Sequence, residues 1–297
     1  MMKNRVTPKS LLPLLALALT AIAGPSLAAG APSVDCDAGE SLQAKVDAAK
    51  PGFTIHVTGT CNERITIVTD NITLDGGGTA VIDGNTPAPV PGTGSLFSVR
   101  AANVVVKGFT IRDGAENGLA IGRSGSAIIE NNVIQGHDRS GVLINNGAYA
   151  RLGEGDGNAP HATPGNRGNT ISGNGNNGVS INSNGAADIF HNVITQNTGS
   201  GINLNVGATA DIDGNEITAN SNAGVRLRNG ASARLDATRL HGSAGDRNLI
   251  EGNLRAVDCR TNSSLAGRGP DVGTGNTLPD RNEDDTCAER VSGFNFP

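Results

Sequence analysis

The chain has 297 residues, with 23 Lys and Arg against 28 Asp and Glu, a formal charge of −5, and 2% aromatic residues. Without residues 1–28, which hold Lys3, Arg5 and Lys9 and no acid, the basic count falls from 23 to 20 and the charge becomes −8. That balance argues against nucleic acid and anionic membrane as partners. The lack of Trp and the single Tyr argue against cellulose- or starch-like substrates, which are usually held on aromatic faces.

Residues 1–28 read as a secretory signal peptide. Basic residues precede the apolar run Leu11–Ala23, and Ser26-Leu27-Ala28 is a small-x-small cleavage site. Nothing later is apolar enough to span a bilayer, so a secreted or periplasmic location is expected. The four cysteines then suggest two disulfides. Cys36 and Cys61 flank the entry of the remaining chain, and Cys259 and Cys287 flank its exit. Local pairing at both ends is the choice made here among three possible pairings.

Residues 29–297 are expected to form one domain, with 36–61 as N-terminal cap and first strand and 259–297 as C-terminal cap. Asp37 to Lys50 reads as a short capping helix: Asp37 and Glu40 form a candidate capping box, Leu42, Val46 and Ala49 an apolar stripe, and Pro51 a stop. Strands follow at 54–60 and 65–68. Residues 72–82 and 97–112 read as coils, separated by a Pro/Gly-rich loop over Pro87–Thr93.

From Asn103 to about Val257 the chain repeats. Asn132, Asn169, Asn192, Asn215 and Asn248 each stand two residues before Ile134, Ile171, Ile194, Ile217 and Ile250, and three residues after each isoleucine come His137, Asn174, Asn197, Asn220 and Asn253. Four units go on to a glycine (Gly141, Gly178, Gly201, Gly224) and an alternating apolar triplet. A period near 23 with apolar residues at i and i+2 predicts solenoid coils of short strands rather than helices. Stacked coils bring like onto like, so asparagines at one corner form a ladder of amide hydrogen bonds. Two insertions, Gly153–Gly165 and roughly Ala237–Asp246, leave the same corner. Leu265–Leu278 reads as a looser last coil, and 279–297 as a tail.

These N-x-I-x-x-N units, with the opening Leu42–Val46, Pro51-Gly52, Ile55–Val57 and Asn71–Gly78, resemble the pectin/pectate lyase-like superfamily over roughly residues 36 to 278. The resemblance implies an all-β, right-handed, single-stranded parallel β-helix. It leaves function open among lyases, hydrolases, esterases, epimerases and non-catalytic proteins. None of the acidic and arginine motifs of its enzymes is found. The nearest approach is Gly136-His137-Asp138, where His137 occupies a ladder position and reads as a corner residue. Gly173–Gly178 matches G-x-G-x-x-G but lies inside a repeat corner rather than at a strand-to-helix junction.

Alternation names the outward residues. Asn182, Asn203, Asn205, Arg226 and Arg228 form a polar row on the strand after the repeat glycine, suited to an acidic polysaccharide or cell-surface glycan, since guanidinium pairs with carboxylate and amides with hydroxyls. The reading is non-catalytic binding; the alternative is a lyase or epimerase acting on uronate polymers. Outward Glu130, Asp188, Asp211, Asp213 and Asp236 on the preceding strand read as a carboxylate stack that calcium could bridge, with no other cofactor expected.

Overall fold

A computed structural model describes residues 32–85, 90, 94–153, 168–235, 248–260, 262–268, 271–272 and 288–292, with backbone alone from 267 onward. The expected signal peptide, both insertions and Cys287 therefore lie outside the described residues. Every strand pairing is parallel, each strand meeting its counterpart one coil away. Each coil of the repeat contributes three strands. The first face stacks Ser126–Glu130, Tyr149–Leu152, Ala186–Phe190, Thr209–Asp213, Ser232–Leu235 and Ser264–Arg268. The second stacks Val133–Gln135, Thr170–Ser172, Val193–Thr195, Glu216–Thr218 and Leu249–Glu251. The third runs from Leu119–Ile121 through Val142–Ile144, Val179–Asn182, Ile202–Asn205 and Ala223–Arg228 to Arg255–Cys259. In the N-terminal coils the long strands Thr73–Asp83 and Val104–Arg112 pass through the first two faces without a break, apart from a register shift between Asp75 and Ala80.

The inward positions are aliphatic, and like stacks on like. Ile134, Ile171, Ile194, Ile217 and Ile250 are all fully buried, as are Ile129, Leu152, Ile189, Ile212 and Leu235. The core is thus a set of parallel files, each extended by one residue per coil.

The corners carry the polar half of the design. Asn132, Asn169, Asn192, Asn215 and Asn248 occupy one file between the first and second faces, each at most 1% exposed. Asn192 shows the pattern. Its backbone N–H and its side-chain amide both donate to Asn215 Oδ1, at 2.9 and 3.0 Å. The same amide donates to the carbonyls of Leu152 and Phe190. Its own Oδ1 accepts two bonds from Asn169, each 2.9 Å. A second file, Asn174, Asn197, Asn220 and Asn253, repeats this between the second and third faces. The step is 23 residues from Asn169 to Asn192 and from Asn192 to Asn215. It becomes 37 and 33 where the two insertions leave the coil.

Residues just before ladder positions take the left-handed conformation at Asn131 (φ 56°), His191 (φ 55°), Gln196 (φ 56°) and Ala219 (φ 52°). This turns the chain sharply enough to present the amide inward. The repeat glycines answer a different need. A Cβ at Gly201 would lie 2.4 Å from Ile217 Cγ2 and 2.8 Å from the Gly224 carbonyl oxygen, so the next coil occupies that space.

The N-terminal cap differs from the expected capping box. The helix Leu42–Ala48 is capped by Ser41, whose hydroxyl accepts from the Ala44 N–H, and by Glu63 from the first coil, which accepts from the Leu42 N–H at 2.6 Å. Asp37 instead belongs to a 3-10 turn, Cys36–Ala38, and accepts from the Thr60 N–H. The helix needed a partner 21 residues away, which local spacing does not show. Leu42 and Val46 face the core, and the Gln43 amide pairs with both backbone groups of Thr66, closing the open edge of the first strand on the third face. A further strand, Ser33–Asp35, pairs with Thr54–Thr58 and was not anticipated. The Cys36–Cys61 disulfide is present. Cys259 is also disulfide-bonded, and its expected partner Cys287 lies outside the described residues.

Replacing Asn192 by Leu is expected to cost ~1–3 kcal/mol in urea unfolding, because buried carbonyls and N–H groups lose their partner. Gly201→Ala is expected to cost ~1–3 kcal/mol by overpacking, with unchanged far-ultraviolet circular dichroism.

Candidate functional site

Two outward regions gather side chains able to bind a ligand. The first is the polar row on the third face. Pairing places Asn182, Asn205 and Arg228 in one file and Ser180, Asn203, Arg226 and Asp258 in the next. The row is more enclosed than alternation implies. Asn203 is 8% exposed and Asp258 only 2%. Asp258 is the centre of the group. Its carboxylate accepts from Arg228 at 3.1 Å and from Arg260 Nε at 2.6 Å, with Arg226 at 3.8 Å. The two arginines are therefore not a bare pair awaiting an anion, since a buried carboxylate already lies between them. They still outnumber it. Burial, and then the neighbouring Arg228, lower Arg226 below the ordinary arginine range, while Asp258 opposes the shift. Nε of Arg226 and Nε of Arg228 are buried without a hydrogen-bond partner. Asn182 uses its amide on Ser180, and Asn205 accepts from Asn229.

The second region is a cleft of about 310 Å³ on the first face, lined by Tyr149, Asp188, Asp211, Arg234 and the small residues between them. The expected carboxylate stack does not form as one file. Alternation places Glu130 beside Lys107 and Asp213 beside Phe190; only Asp188 and Asp211 are neighbours. Asp236 lies outside the described residues. The file reads Arg151, Asp188, Asp211, Arg234, a sequence of plus, minus, minus, plus. Tyr149 reaches across one coil and donates to Asp188 at 2.5 Å. Burial, then that bond to Asp188, push its phenol well above the usual tyrosine range. Asp211 pairs with Arg234 at 3.7 Å. Its carboxyl is raised by burial and by Asp188, with Arg234 opposing. Tyr149, Arg151 and Arg234 were not among the residues selected from the sequence, although the two arginines stand in the same Ala-Arg-Leu pattern, at 150–152 and 233–235.

His137 heads the second ladder file and is structural. It is 1% exposed; Nδ1 accepts from the Gly114 N–H at 2.9 Å and Nε2 lies 3.1 Å from the Ile111 carbonyl oxygen. Both contacts are met by a neutral ring protonated on Nε2.

The coil period, the two amide files and the wholly parallel pairing define a parallel β-helix of the pectate lyase-like kind. Residues 55–254 match the family described as "Periplasmic copper-binding protein (NosD)", and the chain belongs to that family. Its fold is shared with solved structures of the periplasmic alginate epimerase AlgG. One has a TM-score of 0.51 at 16% identity and covers 88% of this chain and 83% of the epimerase. A doubly substituted form has a TM-score of 0.52 at 18% identity, with 82% of this chain covered. The chain spans 63% of the length of that form and of a singly substituted one. At such identities the likeness concerns fold alone. No curated protein matches the sequence.

The family's description invites a test for copper. Copper sites draw on thiolate, thioether and imidazole ligands. Among the described residues one group of three possible ligands converges, Cys36, Cys61 and Glu63, and its two sulfurs are bonded to each other. Both nitrogens of His137 are engaged in the ladder. The converging group thus does not fit a copper centre, and His56 and His191 join no group of three possible ligands among the described residues; His161 and His241 lie outside them.

The His137 environment has a consequence for pH. Burial lowers its pKa from 6.5 to about 4. Between those values the unfolded chain binds more protons than the folded one, so stability rises with pH there. A neutral His137 stabilises the fold in full above pH 6.5 and loses that contribution as the pH falls towards 4. The loss is expected to reach up to ~3 kcal/mol. His137→Asn, which installs the residue of the other coils, is expected to flatten this part of the stability–pH curve measured by urea unfolding.

Proposed function

We propose that this is an exported, periplasmic β-helix protein that binds an acidic polysaccharide along the third face, without turning it over. The observation that carries the reading is the convergence of Arg226, Arg228 and Arg260 on the single buried carboxylate of Asp258. A uronate carboxylate entering beside them would meet guanidinium groups already oriented by Asp258. Asn182, Asn203 and Asn205 continue the same strip on adjacent coils and offer amides to sugar hydroxyls. The fold relationship to an alginate epimerase agrees with a uronate ligand.

Binding is favoured over lyase or epimerase chemistry by what the strip lacks. Abstracting a proton beside a uronate carboxylate requires a base within hydrogen-bond reach of the sugar. The carboxylate of this strip, Asp258, is 2% exposed and held by arginines.

The double variant Arg226→Ala, Arg228→Ala is expected to keep the fold and to elute from an alginate or pectate matrix at lower salt than the wild type. Both the absence of salt-sensitive retention by the wild type and an unchanged elution of the variant would contradict the proposal. An ultraviolet assay for unsaturated uronate product is expected to stay flat.

A further inference from the structure

The cleft on the first face is a separate feature, and it is explained by side-chain size. Along the file Tyr149, Ala186, Thr209, Ser232, three small outward residues follow one large one. The adjacent file, Arg151, Asp188, Asp211, Arg234, is long throughout. The result is a hollow with Tyr149 at one end, two carboxylates along its side and Arg234 beyond them.

If the charged file existed only to neutralise itself, each arginine would clasp its neighbouring aspartate. It does not. Among the described residues no carboxylate lies within ion-pair distance of Arg151, whose Nε is buried without a partner. Asp188, its neighbour in register, is bonded instead to the tyrosine hydroxyl. Among the described residues Asp211 takes no hydrogen bond and meets Arg234 only at 3.7 Å. Arg151 is not part of the lining, but Asp188, Asp211 and Arg234, which do line the hollow, keep much of their hydrogen-bonding capacity unused.

We propose that this cleft binds one neutral pyranose unit of a glycan. Adjacent ring hydroxyls donate to Asp211 and to the free oxygen of Asp188, and oxygens of the same unit accept from Arg234. Three observations select this ligand class. The volume, about 310 Å³, sits at the low end of small-molecule sites, roughly 300–1,000 Å³, and suits a single ring. The file has no net charge, and its centre is two carboxylates separated by one coil rise, ~4.8 Å, which would repel a uronate and which two hydroxyls of one ring can bridge. Recognition rests on charge-assisted hydrogen bonds rather than stacked rings, so a chain with one tyrosine can supply it. That tyrosine stands at the rim, 40% exposed. The proposal is independent of the uronate strip, which lies on another face.

The test uses residues 29–297, titrated by calorimetry with mannohexaose, cellohexaose and chitohexaose, and separately with calcium. Asp211→Asn and Thr209→Trp alter the cleft with isosteric and exposed replacements respectively. At least one neutral hexasaccharide is expected to bind. Asp211→Asn is expected to weaken it about tenfold or more, Thr209→Trp to abolish it, and the Arg226→Ala, Arg228→Ala double variant to leave it unchanged. Absence of binding by all three sugars would overturn the proposal, as would binding indifferent to both cleft variants. Calcium binding that depends on Asp211 while no sugar binds would likewise overturn it and assign the carboxylates to a cation.

Discussion

Side-chain amides at the coil corners are the interaction on which the rest of this structure depends. Parallel strands satisfy one another along the faces, but the two ladder corners turn through left-handed residues such as Asn131, His191 and Gln196 and leave backbone N–H and C=O groups pointing into a dry interior. The asparagine files supply both missing partners at once. Within the files an Oδ1 such as that of Asn215 receives two donors from the preceding coil, and the amides reach back to carbonyls of the previous strands. Because the bonds to each Oδ1 join equivalent residues of neighbouring coils, the ladder fixes the step at 23 residues and tolerates insertions only where the chain can leave and return to the same corner.

A fixed step has chemical consequences on the surface. Outward residues at one repeat position are held one coil rise apart, ~4.8 Å, whether or not they suit each other. On the third face this aligns Asn203, Arg226 and Asp258, and the arginines are tolerable because Asp258 is buried between them. On the first face the same rule sets Asp188 against Asp211, with an arginine on either side. One scaffold thus presents a cationic strip and a carboxylate-centred cleft, which differ in the charge they prefer in a ligand. Neither needs a mobile loop among the described residues, since both are built on strands.

The ladder, the apolar files and the glycine positions were legible because each is a local pattern repeated at a constant interval; the Cys36–Cys61 clasp was legible from the place of its cysteines at the entry of the solenoid. The direction of outward residues was legible too, since alternation determines it. Their neighbours were not. Asp188 and Arg151 are adjacent in register, yet an insertion separates them by 37 residues, so the arginine was not associated with the acids. The supposed carboxylate stack failed for a related reason: Glu130 and Asp213 are outward but belong to a different file from Asp188 and Asp211. Burial of Asp258 followed from arginines on two coils converging on it, which single-strand alternation does not express. The helix cap illustrates the same limit, because Glu63 reaches Leu42 from the first coil rather than from within the helix.

Native-state hydrogen exchange, resolved by residue, tests the central claim that corner amides hold the coils together. The backbone N–H groups of Asn169, Asn192 and Asn215 donate to side-chain oxygens rather than to strand carbonyls. The account predicts that they exchange only with global unfolding, at the same free energy as the strand amides of Val193 and Ile194. Exchange of these corner amides through local fraying, while the flanking strands stay protected, would contradict it.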